Sequence, residues 1–139
     1  MATDIWIHIE YQSRKKKYRY IHANVELHET RVYSLFGAIA GVRQVGYIDP
    51  IYEPRGLPDD ITEETWKEYK DGGFHTAGWL TSKELRECMD LVVKQYTTKY
   101  GFSEETVKKW LEPYEFIYKY MKDSDDEGEP SRMIFWFDN

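Results

Sequence analysis

The stretch Asp4-Ile5-Trp6-Ile7-His8-Ile9-Glu10-Tyr11 alternates three isoleucines and a tyrosine with Trp6, His8 and Glu10. That period of two predicts a β-strand with Ile5, Ile7, Ile9 and Tyr11 on one face. Residues 12–17 are polar and basic, and residues 18–27 return to β-branched and aromatic side chains, so the two segments read as an antiparallel hairpin. Arg14-Lys15-Lys16-Lys17 then sits near the hairpin tip, where it reads as a solvated turn. The chain closes on a second alternation, Met133, Phe135 and Phe137 against Ile134 and Trp136, which predicts a strand able to pair beside the first.

Between these strands the period changes to that of helices. Val32, Leu35, Phe36 and Ile39 recur at three- and four-residue spacing, and Gly41 follows as a left-handed cap. Residues 46–60 contain Pro50, Pro54, Gly56 and Pro58, which predicts a long loop. Thr62 is placed to cap a brief helix through Lys70, and residues 71–78, with Gly72, Gly73 and Gly78, read as a second loop. Thr81 with Glu84 three residues on is a capping box, after which Leu85, Cys88, Met89, Val92 and Tyr96 mark one face of a helix ending near Gly101. Ser103 caps a further helix with an apolar stripe from Val107 to Met121, which Pro113 should kink or divide. Residues 123–129 (DSDDEGE) read as an acidic loop. The expected fold is α+β: an antiparallel sheet from the N-terminal hairpin and the C-terminal strand, packed against two longer helices.

A length of 139 residues, 41% of them hydrophobic and 17% aromatic, fits one domain with its own core. The mean hydropathy of -0.73 and the lack of any long uncharged apolar run argue against a membrane span. A net charge of -6 disfavours a general nucleic-acid binder. Charge is nevertheless uneven: residues 1–55 carry a net +2 and the remainder a net -8, so the first part is where an anion would bind. The single cysteine, Cys88, lies among apolar helical neighbours and points to a reducing compartment. Residues 1–10 lack the basic start and apolar stretch of a signal peptide, so a cytoplasmic location is expected.

The strongest candidate for chemistry is Pro54-Arg55-Gly56-Leu57-Pro58-Asp59-Asp60. Two prolines stiffen this loop, so it loses little entropy on meeting a ligand. Arg55 could fork onto a phosphate while Asp59 or Asp60 accepts hydrogen bonds from a ribose or an amine. The structural alternative has Asp59 and Asp60 capping the next helix and Arg55 pinning the loop through an ion pair. Arg43 and His75 would join Arg55 if the two loops lie at one end of the sheet. Among the aromatics, Tyr33, Tyr47, Tyr52, Phe74 and Trp79 fall in or beside these loops and could stack on a base, whereas the remaining rings belong mainly to the core. His8, His22 and His28 lie on or near strands without metal-ligand spacing, so no metal is expected, and no cofactor motif occurs. Adjacent Asp59 and Asp60 make a poor acid/base pair, because catalytic carboxylates face one another across a substrate.

With YSLFGAIAGVR (33–43), PRGLPDD (54–60), His75, WLT (79–81), Glu84-Leu85 and FWFDN (135–139) in hand, the chain resembles a family of small proteins encoded by bacteriophages and prophages. The resemblance spans nearly the whole chain and is weakest over residues 99–126. It implies expression in the cytoplasm of an infected bacterial host and, by analogy of size and setting, an anti-defence role. The expected function is sequestration of a nucleotide-derived immune messenger, of cyclic-nucleotide or ADP-ribose type. The expected ligand-binding residues are Arg43, Arg55, Gly56, Asp59, Asp60, His75, Tyr33, Tyr52 and Trp79. Two alternatives stay open: an enzyme hydrolysing such a nucleotide, with His75 as general base or acid and Asp59 or Asp60 assisting, and an inhibitor that binds a host defence protein. A homodimer with the site at its interface would suit so small a domain. On the capture reading, Arg55→Ala should abolish binding and leave the melting temperature nearly unchanged.

Overall fold

A computed structural model describes residues 2–23, 30–43 and 50–139. Strands β1 (Ile5–Ser13), β2 (Arg19–Ala23), β3 (His75–Leu80) and β4 (Ser131–Phe137) form an antiparallel sheet in the order β2-β1-β4-β3. The helices among the described residues are α1 (Tyr33–Ala40), α2 (Glu63–Lys70), α3 (Ser82–Thr98), α4 (Glu104–Trp110) and α5 (Glu112–Asp126). The α+β fold, the N-terminal hairpin and the C-terminal strand are as the sequence predicts.

The last strand of the chain lies inside the sheet. β4 runs between β1 and β3, with Ile5 opposite Phe137 and Tyr11 opposite Ser131. All seven of its residues are buried, so both faces of the sheet are covered there. On one face Ile5, Ile9, Leu80, Met133, Phe135 and Phe137 join the core formed with Leu35 and Phe36 of α1, Leu85 and Met89 of α3, and Tyr114 and Ile117 of α5. The opposite face carries Trp6, His8 and Glu10 of β1 beside Trp136, Ile134 and Arg132 of β4, and α2 packs over part of it.

Local chemistry sets the element ends. Thr62, Thr81 and Ser103 each accept a hydrogen bond from the backbone N–H three residues on, and Thr81 with Glu84 completes the capping box. Gly41 closes α1 in the left-handed region at φ 68°. Leu111 separates α4 from α5, and Pro113 sits in the first turn of α5, where its missing N–H breaks no helical bond. The basic tip is a 3-10 turn (Arg14–Lys16) with every residue exposed, as a solvated turn should be.

Three readings change. The loop expected over 71–78 becomes strand β3 from His75 onward, because β4 offers it a backbone partner that no local pattern announces. Its register slips between His75 and Gly78, where Thr76 takes a left-handed φ of 56°, so the bulge hid the period-two signal. The acidic stretch 123–129 is helical as far as Asp126. Thr62 is the cap of α2; Asp59 and Asp60 stand before it and do not cap it. The expected strand residues 24–27 and the loop residues 46–49, Tyr47 included, lie outside the described residues, as does His28.

Candidate functional site

The proline loop straps the outer edge of β3. The Gly56 N–H donates to the Ala77 carbonyl at 2.9 Å, with Gly56 at φ 75°. Arg55 then reaches the start of α3. One Nη donates to Glu84 Oε1 at 2.7 Å and to the Trp79 carbonyl at 3.3 Å, and the other Nη pairs with Glu84 Oε2. Its guanidinium also stacks 4.5 Å from the centre of the Trp79 ring and 5.3 Å from that of Tyr52. Burial alone would raise the Glu84 carboxyl, but the hydrogen bonds from Arg55 and Thr81 hold it below the usual carboxylate range. The Tyr52 hydroxyl donates to Glu87, and that bond pushes its pKa up to about 12. The ion-pair role weighed for Arg55 is therefore the one its fork performs. Gly56 serves the strap through its backbone, and Asp59 is exposed.

Arg43, Tyr33 and His75 gather at one end of the sheet. Arg43 Nε donates to Thr3 Oγ1 at 2.7 Å, the Thr3 N–H donates to the Tyr33 hydroxyl at 3.1 Å, and the Arg43 guanidinium lies 5.4 Å from the centre of the Tyr33 ring. His75 Nδ1 meets Thr76 Oγ1 at 2.8 Å, and its ring stacks on Phe137. Because His75, Phe137 and Ile5 are consecutive partners across the strands, His75 and the Thr3–Arg43 contact share that end. The carbonyl that anchors Arg55 belongs to Trp79, four residues along β3 and so roughly 13 Å away. No hydrogen bond, ion pair or ring contact joins any two of Arg43, Arg55 and His75.

The sheet face opposite the main core holds residues that the sequence reading set aside. His22 of β2, His8 of β1 and Trp136 of β4 form a diagonal row, with His8 and His22 ring centres 5.1 Å apart and His8 stacked 4.7 Å from Trp136 at 23°. Tyr69 of α2 and Phe74 continue the row at 5.0 and 5.6 Å from Trp136, and Trp6, 39% exposed, packs 5.1 Å from Phe74. His8 Nδ1 lies 2.8 Å from His22 Nε2. Burial, with a smaller contribution from His22, lowers the His8 pKa to about 4, so this ring is neutral near pH 7.

Beside the row lies a buried polar network. Glu10 Oε1 accepts from Arg132 Nε and Nη2, while its Oε2 accepts from the Thr62 N–H and from the Thr62 and Thr65 hydroxyls. Arg132 also donates to Asp60 Oδ1 at 2.7 Å and lies against the ring of Tyr20. Asp60 thus holds the strap to the sheet. The alternation that put the isoleucines on one face put Trp6, His8 and Glu10 together on the other; the missing information was the partner strand, which supplies Trp136 and Arg132.

A groove of about 1040 Å³ lies between α3, α4 and α5. Arg86 is paired there with Asp90 and Glu115 and Lys108 with Glu104, while Glu105, Lys109 and Glu112 line the groove without an ion pair among the described residues; its lining holds no aromatic ring, so for a planar ligand the ring row is the better candidate. Among the described residues no group of three or more potential ligands could hold a metal ion, and no helix is long and apolar enough to cross a membrane. No protein-family model, curated protein or solved structure matches the chain.

Proposed function

We propose that this protein captures a nucleotide-derived small molecule without altering it. The observation that carries this reading is the aromatic sheet face on which the exposed Trp6 and the partly exposed Phe74, His8 and His22 lie about the buried Trp136. Stacking on such rings suits any base, at about 1–3 kcal/mol for each one stacked. The setting implied by the resemblance to phage proteins makes an immune messenger of cyclic-nucleotide or ADP-ribose type the natural ligand, with host-cell chemistry as its source. Arg43, mounted on Tyr33 and exposed, has no carboxylate partner among the described residues and is free to meet a phosphate; Arg55 is committed to Glu84.

Capture is preferred to hydrolysis because His75 bonds Thr76 rather than a carboxylate, and a general base needs a partner to orient its ring. Incubation with a panel of cyclic and ADP-ribose-derived nucleotides, followed by mass spectrometry of the free and heat-released fractions, tests the reading. Loss from solution with intact recovery supports capture. Altered product supports the enzyme alternative, and no change with any nucleotide moves the function to a protein partner.

A further inference from the structure

We propose that the basic hairpin tip of one copy docks in an acidic, tyrosine-walled cleft at the C-terminal end of α5 in a second copy, and that a two-fold axis makes the exchange reciprocal. This is a contact of the chain with itself, and it stands apart from the capture reading.

Both halves of the contact are built from charges that lack an opposite partner in the single chain. Arg14, Lys15, Lys16, Lys17 and Arg19 are all exposed, and none has a carboxylate partner among the described residues. Tyr18, between them, is 64% exposed. The cleft has a volume of about 330 Å³ and is lined by Tyr11 of β1, Tyr120 of α5 and the carboxylates of Asp123, Glu127 and Glu129. Those three carboxylates are likewise in no ion pair among the described residues. Like charges repel within each patch, and each patch neutralises the other. Phenol rings beside carboxylates also suit an ammonium or guanidinium group, which is drawn to the face of a ring.

The chain does not fill the cleft with its own tip. A 3-10 turn spans Arg14–Lys16, Lys17 and Tyr18 follow in the left-handed region at φ 56° and 64°, and the Tyr18 N–H donates to the Ser13 carbonyl at 3.0 Å. Held this way, the tip brings Arg14 to the rim of the cleft, where it donates to the Glu127 carbonyl at 3.5 Å and reaches no carboxylate. Tip and cleft are nevertheless neighbours on one surface, since the Gln12 N–H donates to the carbonyl of Pro130, next to Glu129, at 2.8 Å. Two complementary patches side by side make that surface self-complementary about a two-fold axis, so two copies suffice to fill both clefts. Phe116 and Tyr120, one turn apart on α5 and 55% and 38% exposed, add aromatic surface of the kind that interfaces enclose. Trp6 lies seven residues along β1 from Ser13, roughly 23 Å away, so dimerisation leaves that end of the sheet open.

Sedimentation velocity over a range of protein concentrations tests the proposal. The protein should dimerise, and raising the salt from about 0.02 M to about 0.5 M should raise the dimer Kd about tenfold or more, because screening weakens exposed charge pairs. Reversing the tip (Lys15→Glu, Lys16→Glu and Lys17→Glu) should leave a monomer, as should reversing the cleft (Asp123→Lys, Glu127→Lys and Glu129→Lys). All six positions are exposed or partly exposed, and lysine near the C-terminus of α5 suits its dipole, so both variants should keep the fold, as circular dichroism would check. Mixed in equal amounts, the two variants should form a heterodimer, because each tip then meets a cleft of opposite sign. A wild-type protein that stays monomeric at low salt, a dimer that either reversed variant retains, or a mixture that stays monomeric would each overturn the proposal.

Discussion

Glu10 and Arg132 face one another across β1 and β4 with carboxylate and guanidinium 2.5 Å apart, and 0% and 6% of their side chains exposed. Two charges taken out of water this completely persist only when their remaining donors and acceptors are filled. Thr62, Thr65 and Asp60 fill them, so the pair ties the cap of α2 and the end of the proline loop to the sheet.

Truncating one partner should therefore leave an uncompensated buried charge. Glu10→Ala is expected to cost about 3–5 kcal/mol, and Arg132→Met a similar amount. Replacing both at once with leucine should recover most of that loss. Urea unfolding of the two single variants and the double variant measures all three, and equal losses in single and double variants would refute the pairing.

Arg55→Ala has a different expected outcome from the one the sequence suggested. The guanidinium holds Glu84 and rests on Trp79 and Tyr52, so its removal should cost roughly 2 kcal/mol and lower the melting temperature. A double-mutant cycle with Glu84→Ala should show coupling, since the two residues share one contact. An unchanged melting temperature would return Arg55 to the role of a free phosphate ligand.

His8 makes stability depend on pH in a definite direction. Its pKa falls from 6.5 in the unfolded chain to about 4 when folded. Between those values the unfolded chain holds a proton that the folded chain does not, so unfolding is favoured as pH drops. The contribution is complete above pH 6.5, declines as the pH falls toward 4, and is level below. Allowing for partial solvent screening, it is on the order of 2 kcal/mol. His8→Phe should flatten this part of the pH profile, read by thermal unfolding from pH 4 to 7.5; an identical slope in the variant would contradict the assignment.

Gly78→Ala should destabilise although alanine suits a strand better than glycine. A Cβ there would stand 2.7 Å from Cζ of the Phe135 ring, which is itself buried in the core. Overpacking of this kind costs about 1–3 kcal/mol. Phe135→Leu in the same background should return part of the loss, as measured by urea unfolding.

Much of the fold is legible locally. Thr62, Thr81, Ser103 and Gly41 mark helix ends because capping satisfies backbone groups within a few residues. The alternation around Ile5–Ile9 marks a strand because its period is a property of the backbone alone. β3 was not legible in the same way. Its bulge at Thr76 breaks the period, and its hydrogen bonds come from residues some sixty positions later in the chain.

The sequence by itself determined the class of fold, most helix ends and the sorting of β1 side chains onto two faces, all of which follow from neighbours along the chain. Only the tertiary structure decided that β4 enters the middle of the sheet, and with it that Trp136 and Arg132 meet His8 and Glu10. It also committed Arg55 to Glu84 and separated it from His75. Strand order and side-chain pairing across it depend on which distant backbones satisfy each other's hydrogen bonds, a choice that no local pattern encodes.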